Sequence, residues 1–140
     1  MGIVAVDTNV LLDILIPNPG WFGVSLASIQ SAAQRGSLVI CDIVYAELCG
    51  HFRTQRECDS FLADTTIRVE RISPRASFAA AEVWRQYRAA GGRRERILPD
   101  FLIGAHALHQ ASRLISRDAG FYRQYFANLA IEDPALPGVL

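Results

Sequence analysis

Four acidic residues stand where a carboxylate has chemistry to do. Asp7 ends an apolar run (IVAVDTN), Glu47 lies inside an apolar helical stretch (IVYAEL), Asp100 opens a helix (LPDFLIGA) and Asp118 follows a second short apolar run (RLISRD). Carboxylates are hard oxygen donors that suit Mg²⁺ or Mn²⁺, and a cluster of them repels itself unless a divalent cation shares the pocket. Together they point to one metal site.

The elements that must position these acids alternate along the chain. Residues 3–6 read as a buried strand, 9–16 as a helix stopped by the turn Pro17-Asn18-Pro19-Gly20, and 21–35 as a helix stopped by Gly36. A strand over 38–41 follows, then a helix with Asp42 as N-cap running to about His51, a helix over 54–63 capped by Thr54, and a third strand over 67–71. Pro74 starts a long helix that runs to about Ala90 and is ended by Gly91 and Gly92. A basic loop over 93–98, a helix over 99–111, a strand over 114–116, a helix over 119–126 and a short strand near 129–131 complete the pattern.

Strands separated by helices imply parallel pairing with right-handed crossovers. The expected fold is therefore an α/β chain, a three-layer α/β/α sandwich around a central, mostly parallel sheet of four to five strands, with residues 1–140 as a single domain. Asp7 and Asp118 each follow a strand, and ligand sites in open α/β sheets lie beyond the carboxyl ends of the strands. Asp100 falls in the first turn of its helix, where the positive dipole end favours the charged carboxylate, and Gly104 on the same face would leave room above the pocket. Glu47 shares a helical stripe with Ile43 and Val44, where a carboxylate is costly to bury without a partner such as a cation.

Taken singly, each acid has an ordinary explanation. Asp7 caps a helix, Asp100 complements a dipole, Asp118 turns the chain after a strand, and Glu47 reaches solvent from the edge of its stripe.

Bulk properties bound the rest. At 140 residues the chain can bury roughly 70% of its unfolded surface, enough for one substantial core. It is 51% hydrophobic and 20% charged, with no apolar run long enough to span a bilayer. The N-terminus leads straight into a strand without a basic region or cleavage site, so no signal peptide is expected and the cytoplasm is the expected address. Fourteen positive residues balance 14 negative ones, which excludes whole-protein attraction to nucleic acid as the basis of any binding. All the positive residues are Arg, the better fork for phosphate. Cys41, Cys49 and Cys58 lack zinc-binding spacing and read as reduced, mostly buried thiols.

The ordered set of motifs resembles the PIN domain and, within it, the small VapC-type toxin ribonucleases of type II toxin–antitoxin systems. The anchors are VDTNVLLD at the start, the Glu of AEL, LPDFLIGAHAL, and LISRDAGFYRQY, so the likeness covers nearly the whole chain. It implies an acidic pocket of Asp7, Glu47, Asp100 and Asp118. Ser116 stands where the family usually carries Thr, and the hydroxyl is kept. Thr8 and Asn9 match the polar residues that follow the first acid and would orient the ligands.

The chemistry that such a pocket implies is phosphodiester hydrolysis. One or two Mg²⁺ or Mn²⁺ ions would activate water and relieve the charge that builds on the phosphoryl and leaving oxygens. Asp7, Asp100 and Asp118 are the expected metal ligands, and Glu47 would either ligate or orient the attacking water. Neither a Ser/His/Asp set nor a Gly-rich phosphate loop competes. Arg93, Arg94 and Arg96 precede the Asp100 helix and Arg117 sits beside Asp118, so these four are the candidate RNA contacts, with a solvated loop as the ordinary alternative. Tyr122, Tyr125 and Phe126 read as packing residues, His51 as a surface residue, His106 and His109 as turned away from Asp100, and Asp13 as a solvated helix residue.

Looped or single-stranded RNA as substrate, homodimerisation, and inhibition by a cognate antitoxin whose C-terminal segment occupies a groove near the acids are implied by the resemblance alone. Exposed apolar surface over residues 44–61 is where such a partner would be sought. A PIN nuclease that processes RNA outside toxin–antitoxin systems would share every one of these residues. A haloacid-dehalogenase-like phosphatase also starts with a strand and Asp, but it needs a second acid where this chain has Asn9. A non-catalytic RNA-binding module would be favoured if one of the acids were missing, and none is.

Overall fold

The computed structural model describes residues 2–92 and 96–136. The element order is β1 (Gly2–Val6), α1 (Thr8–Leu15), α2 (Phe22–Arg35), β2 (Gly36–Cys41), α3 (Asp42–Cys49), α4 (Gln55–Asp64), β3 (Ile67–Glu70), α5 (Pro74–Ala89), α6 (Leu98–Gln110), β4 (Arg113–Ile115), α7 (Ala119–Tyr125) and β5 (Ile131–Glu132). The five strands form one sheet in the order β3-β2-β1-β4-β5, and every pairing is parallel. Helices flank the sheet in the expected three-layer arrangement.

The strands need this cover on both faces. Val4, Ala5 and Val6 of β1 and Leu38 to Cys41 of β2 are buried in unbroken runs, the pattern of parallel strands with helices above and below. Val10 and Leu11 of α1, Val44 and Leu48 of α3, and Phe101 and Ile103 of α6 supply the opposing apolar faces. Tilted and edge-on rings of Tyr87, Phe101, Phe121 and Tyr125, with centroids 5.3–6.0 Å apart, join α5, α6 and α7 into one aromatic cluster.

Local signals place most boundaries. Ser73 caps α5 through Ala76 N–H, Pro74 occupies its first turn, and Gly91 follows it at φ +81°, a conformation that glycine adopts without penalty. Thr54 caps α4 through Glu57 N–H, as expected.

Asp42 is not the N-cap of α3. It is the first helical residue, Cys41 holds the cap position, and the Asp42 carboxylate instead accepts from Ile72 N–H at 3.3 Å, which ties α3 to the segment after β3. β2 starts two residues before the apolar run because Gly36 pairs with Gly2. Leu129 belongs to the turn before β5, with its N–H on Phe126 O.

Two features of this topology make the site. β1 is central, with β2 on one side and β4 on the other, so chain direction across the sheet reverses there and a crevice opens at the carboxyl ends of β1 and β4. α6 returns the chain to the amino end of β1, where Ser112 N–H donates to Ile3 O at 2.7 Å, and its own N-terminus therefore lies toward the crevice.

Candidate active site

Register brings Asp7 and Asp118 together. Val6 pairs with Ile115 and Asp7 N–H donates to Ile115 O at 2.9 Å, which sets Asp7 beside Ser116. Asp7 caps α1 through Thr8 N–H at 2.8 Å, so the ordinary reading of this residue is also true. Its other oxygen, Oδ2, accepts from the Ser116 hydroxyl at 2.7 Å, the Tyr122 hydroxyl at 3.1 Å and Asn9 Nδ2 at 3.4 Å. Ser116 Oγ in turn accepts from Asp118 N–H at 3.0 Å, so a single hydroxyl fixes the spacing between the two acids.

Asp7 is only 6% exposed, and burial pushes its pKa up to about 6 against the ordinary 3.8, with Glu47 adding to the rise and the hydrogen bonds from Ser116, Thr8 and Tyr122 opposing it. Asp100 is half-buried, and its pKa is raised chiefly by burial, with Asp118 adding repulsion. Its Oδ2 accepts from Ile97 N–H at 3.2 Å, which closes the first turn of α6. Burial and the charges of Asp7, Asp100 and Asp118 hold the Tyr122 hydroxyl protonated well above its usual range.

Glu47 is exposed at the mouth of the crevice instead of buried on its stripe, and its partner is a hydroxyl: Thr8 Oγ1 donates to Oε1 at 2.7 Å. Asp118 is gripped by Arg96, whose two terminal nitrogens both reach the carboxylate, one of them at 3.1 Å, while the guanidinium lies 4.3 Å from the centre of the Phe121 ring. The hydrogen bond to Asp118 raises the pKa of Arg96 further.

Arg117, expected to face RNA, points the other way. Its side chain donates to Asp13 Oδ1 at 2.8 Å and stacks 4.3 Å from the Trp21 ring, while its backbone N–H donates to Asn9 Oδ1 at 3.1 Å. Asp13 is accordingly not solvated: it is 3% exposed and also accepts from Ser25 Oγ at 2.7 Å. Arg93 and Arg94 lie outside the described residues. His106 is buried against Glu70 Oε1 at 2.8 Å, away from the acids, and His51 is exposed. Gly104 does not open space above the pocket, because Phe126 fills it: a Cβ built there would meet that ring at 2.4 Å.

Tyr122 is the participant that sequence reasoning missed. The available signal was its position four residues after Asp118 on α7, which returns a helical side chain to the same face.

The donor set fits a hard divalent cation. All the donors are oxygens, and the raised proton affinities of Asp7 and Asp100 are those of carboxylates short of positive charge. Among the described residues, no three His, Cys, Asp or Glu side chains stand close enough to grip an ion as arranged, and Arg96 holds one of the acids.

A family model described as PIN domain matches residues 4–127. Among curated proteins none matches by sequence. Among solved structures, the chain is similar to VapBC2 from Rickettsia felis, solved bound to a DNA fragment from its promoter, with TM-score 0.73 and 20% identity over 94% of this chain and 98% of that one. VapBC-1 from nontypeable Haemophilus influenzae gives TM-score 0.73 and 20% identity over 96% and 99% of the two chains. A toxin–antitoxin complex from Klebsiella pneumoniae gives TM-score 0.61 and 22% identity over 94% and 97%.

Proposed function

The chain belongs to the PIN domain family, and from that premise we propose that it is a Mg²⁺- or Mn²⁺-dependent endoribonuclease, the toxin of a toxin–antitoxin pair. The supporting observation is the acidic crevice at the β1/β4 switch point, where burial raises the proton affinity of Asp7 and Asp100. A cation bound by Asp7, Asp100 and Asp118 would supply positive charge to the phosphoryl and leaving oxygens and acidify an attacking water.

The protein's own groups do the positioning. Ser116 sets the spacing of Asp7 and Asp118, Tyr122 and Asn9 fix the Asp7 carboxylate, and Asp100 is held by the first turn of its helix. Glu47, steadied through Oε1 by Thr8, takes a proton from the attacking water with its other oxygen. Arg96, now paired with Asp118, would be freed to meet the RNA phosphate together with Arg93 and Arg94 if Asp118 held the cation. Arg117 braces the floor of the site through Asp13.

The likeness to VapBC and toxin–antitoxin structures supports an antitoxin as partner, and the toxin reading itself implies a homodimer. No helix among the described residues is long and apolar enough to cross a membrane, and cytoplasmic RNA is the substrate pool this reading assigns.

The test is incubation of the purified chain, stripped of any bound partner, with structured RNAs and Mg²⁺ or Mn²⁺, beside an Asp100→Asn variant and a chelator control. Metal-dependent cleavage that disappears in both controls is expected. Intact RNA after incubation with folded, metal-loaded protein would overturn the reading.

A further inference from the structure

Outside the acidic crevice, α3 and α4 hold two thiols against each other. Cys49, the last residue of α3, and Cys58 of α4 have their sulfurs 3.5 Å apart, with one thiol hydrogen-bonded to the other. Neither is in a disulfide, and Cys41, the third cysteine, is buried at the end of β2. The hairpin that carries the pair is fixed from several sides. Tyr45 donates to Asp59 Oδ1 at 2.7 Å, Phe52 packs on Phe61 with ring centroids 5.8 Å apart, and Thr54 caps α4. The turn between the helices is closed by Phe52 N–H on Cys49 O at 3.1 Å.

We propose that Cys49 and Cys58 form an oxidisable dithiol, a modification site that closes to an intramolecular disulfide in the presence of a small-molecule disulfide such as oxidised glutathione. The inference does not rest on the nuclease reading. The sulfurs, 3.5 Å apart, need to approach by about 1.5 Å to reach bonding distance, a displacement on the scale of side-chain rotation.

Unequal exposure sets the order of events. Cys49 is partly exposed and Cys58 is fully buried, so only Cys49 meets an oxidant from solution. The Cys49 thiolate attacks a sulfur of oxidised glutathione, forming a mixed disulfide and expelling one glutathione thiolate. Cys58, losing its proton to solvent, then attacks the Cys49 sulfur and expels the second. Two protein thiols are oxidised to one disulfide, and one glutathione disulfide is reduced to two thiols. Burial and the neighbouring Cys49 and Asp59 hold the Cys58 thiol high, at about 12, so closure proceeds slowly at neutral pH and faster in alkali. The product would clamp the end of α3 two residues after Glu47.

The experiment is to equilibrate the reduced full-length protein with oxidised glutathione, quench with an alkylating agent and map the products by peptide mass. The expected product is lighter by two hydrogens and carries a Cys49–Cys58 link, with Cys41 still free once the protein is unfolded. Its Tm should rise by about 5–10 °C, as expected for closing a short loop. Cys58→Ser should stop at the glutathione adduct on Cys49, and Cys49→Ser should take up no glutathione. A wild-type protein that keeps both thiols, retains the adduct, or links Cys41 instead would overturn the proposal, whatever the variants do.

Discussion

Arg96 holds Asp118 with both terminal nitrogens of its guanidinium while stacking on Phe121, so the chain places its own cation on one of its four pocket acids. On the proposed reading, an arginine fork and a divalent ion would compete for the same oxygens. Both partners are about one-third exposed, which limits the strength of the pair to roughly 0.5–1 kcal/mol. Arg96→Ala should therefore bind Mn²⁺ about 2- to 5-fold more tightly in calorimetry at fixed ionic strength. Weaker binding by the variant would mean that Arg96 orients Asp118 for the ion and does not compete with it.

Asp7 makes the metal-free protein sensitive to pH in an unusual direction. Its pKa is about 6 in the fold against 3.8 ordinarily, so between those values the native state keeps a proton that the unfolded chain has released. Its stabilising contribution is thus fully present below 3.8 and lost as the pH rises through about 6, a loss of about 3 kcal/mol. Urea denaturation in chelator should show Asp7→Asn gaining on the native protein by about this amount between pH 4 and 7. Parallel pH profiles for the two proteins would remove burial of Asp7 as the cause.

The Asp13–Arg117 pair supports the floor of the pocket from below. Asp13 is 3% exposed and receives Arg117 and Ser25, while Arg117 Nε is already buried without a partner. Asp13→Ala strands the guanidinium and should cost about 2–3 kcal/mol, discounted for the partial exposure of Arg117. Ser25→Ala should cost only about 1 kcal/mol. Equal losses from the two substitutions in chemical denaturation would show that the ion pair is not the important contact.

Gly104 lets α6 approach the Phe126 ring, and a Cβ there would lie 2.4 Å from it. Phe126 is itself buried, so the ring cannot swing into solvent. Gly104→Ala should destabilise the fold by about 1–3 kcal/mol despite its gain in helix propensity. A stability equal to the native value would mean that the ring has room to shift.

What the sequence discloses here follows from the range over which each force acts. The strands and helices show in periodicity and caps, and the order of four acids points to a pocket, because these are local patterns: Thr54, Pro74 and Gly91 each act within a turn of their own position. Pairings across the fold do not show. Asp13 looked solvated because its partner is 104 residues away, Arg117 looked free for the same reason, and Gly104 looked like open space because Phe126 arrives from just beyond the end of α7. Glu47 looked buried on helical periodicity, but its stripe meets the crevice mouth, where Thr8 partners it. Asp42 carried the right residue type for a cap, yet a tertiary acceptor role toward Ile72 took precedence.

The hydrogen bond from Ser116 to Asp7 spans 109 residues of chain. During synthesis at roughly 5–20 residues per second, about 5–20 s separate the emergence of the first acid from that of the strand that completes its surroundings. β1 must wait for β4, and parallel pairing over such a separation is slow to form. A nascent or prematurely terminated chain therefore carries Asp7 without Ser116, Asp118 or Tyr122, and so no assembled pocket. Whatever this crevice does, it cannot begin before Ser116, Asp118 and Tyr122 have emerged behind Asp7.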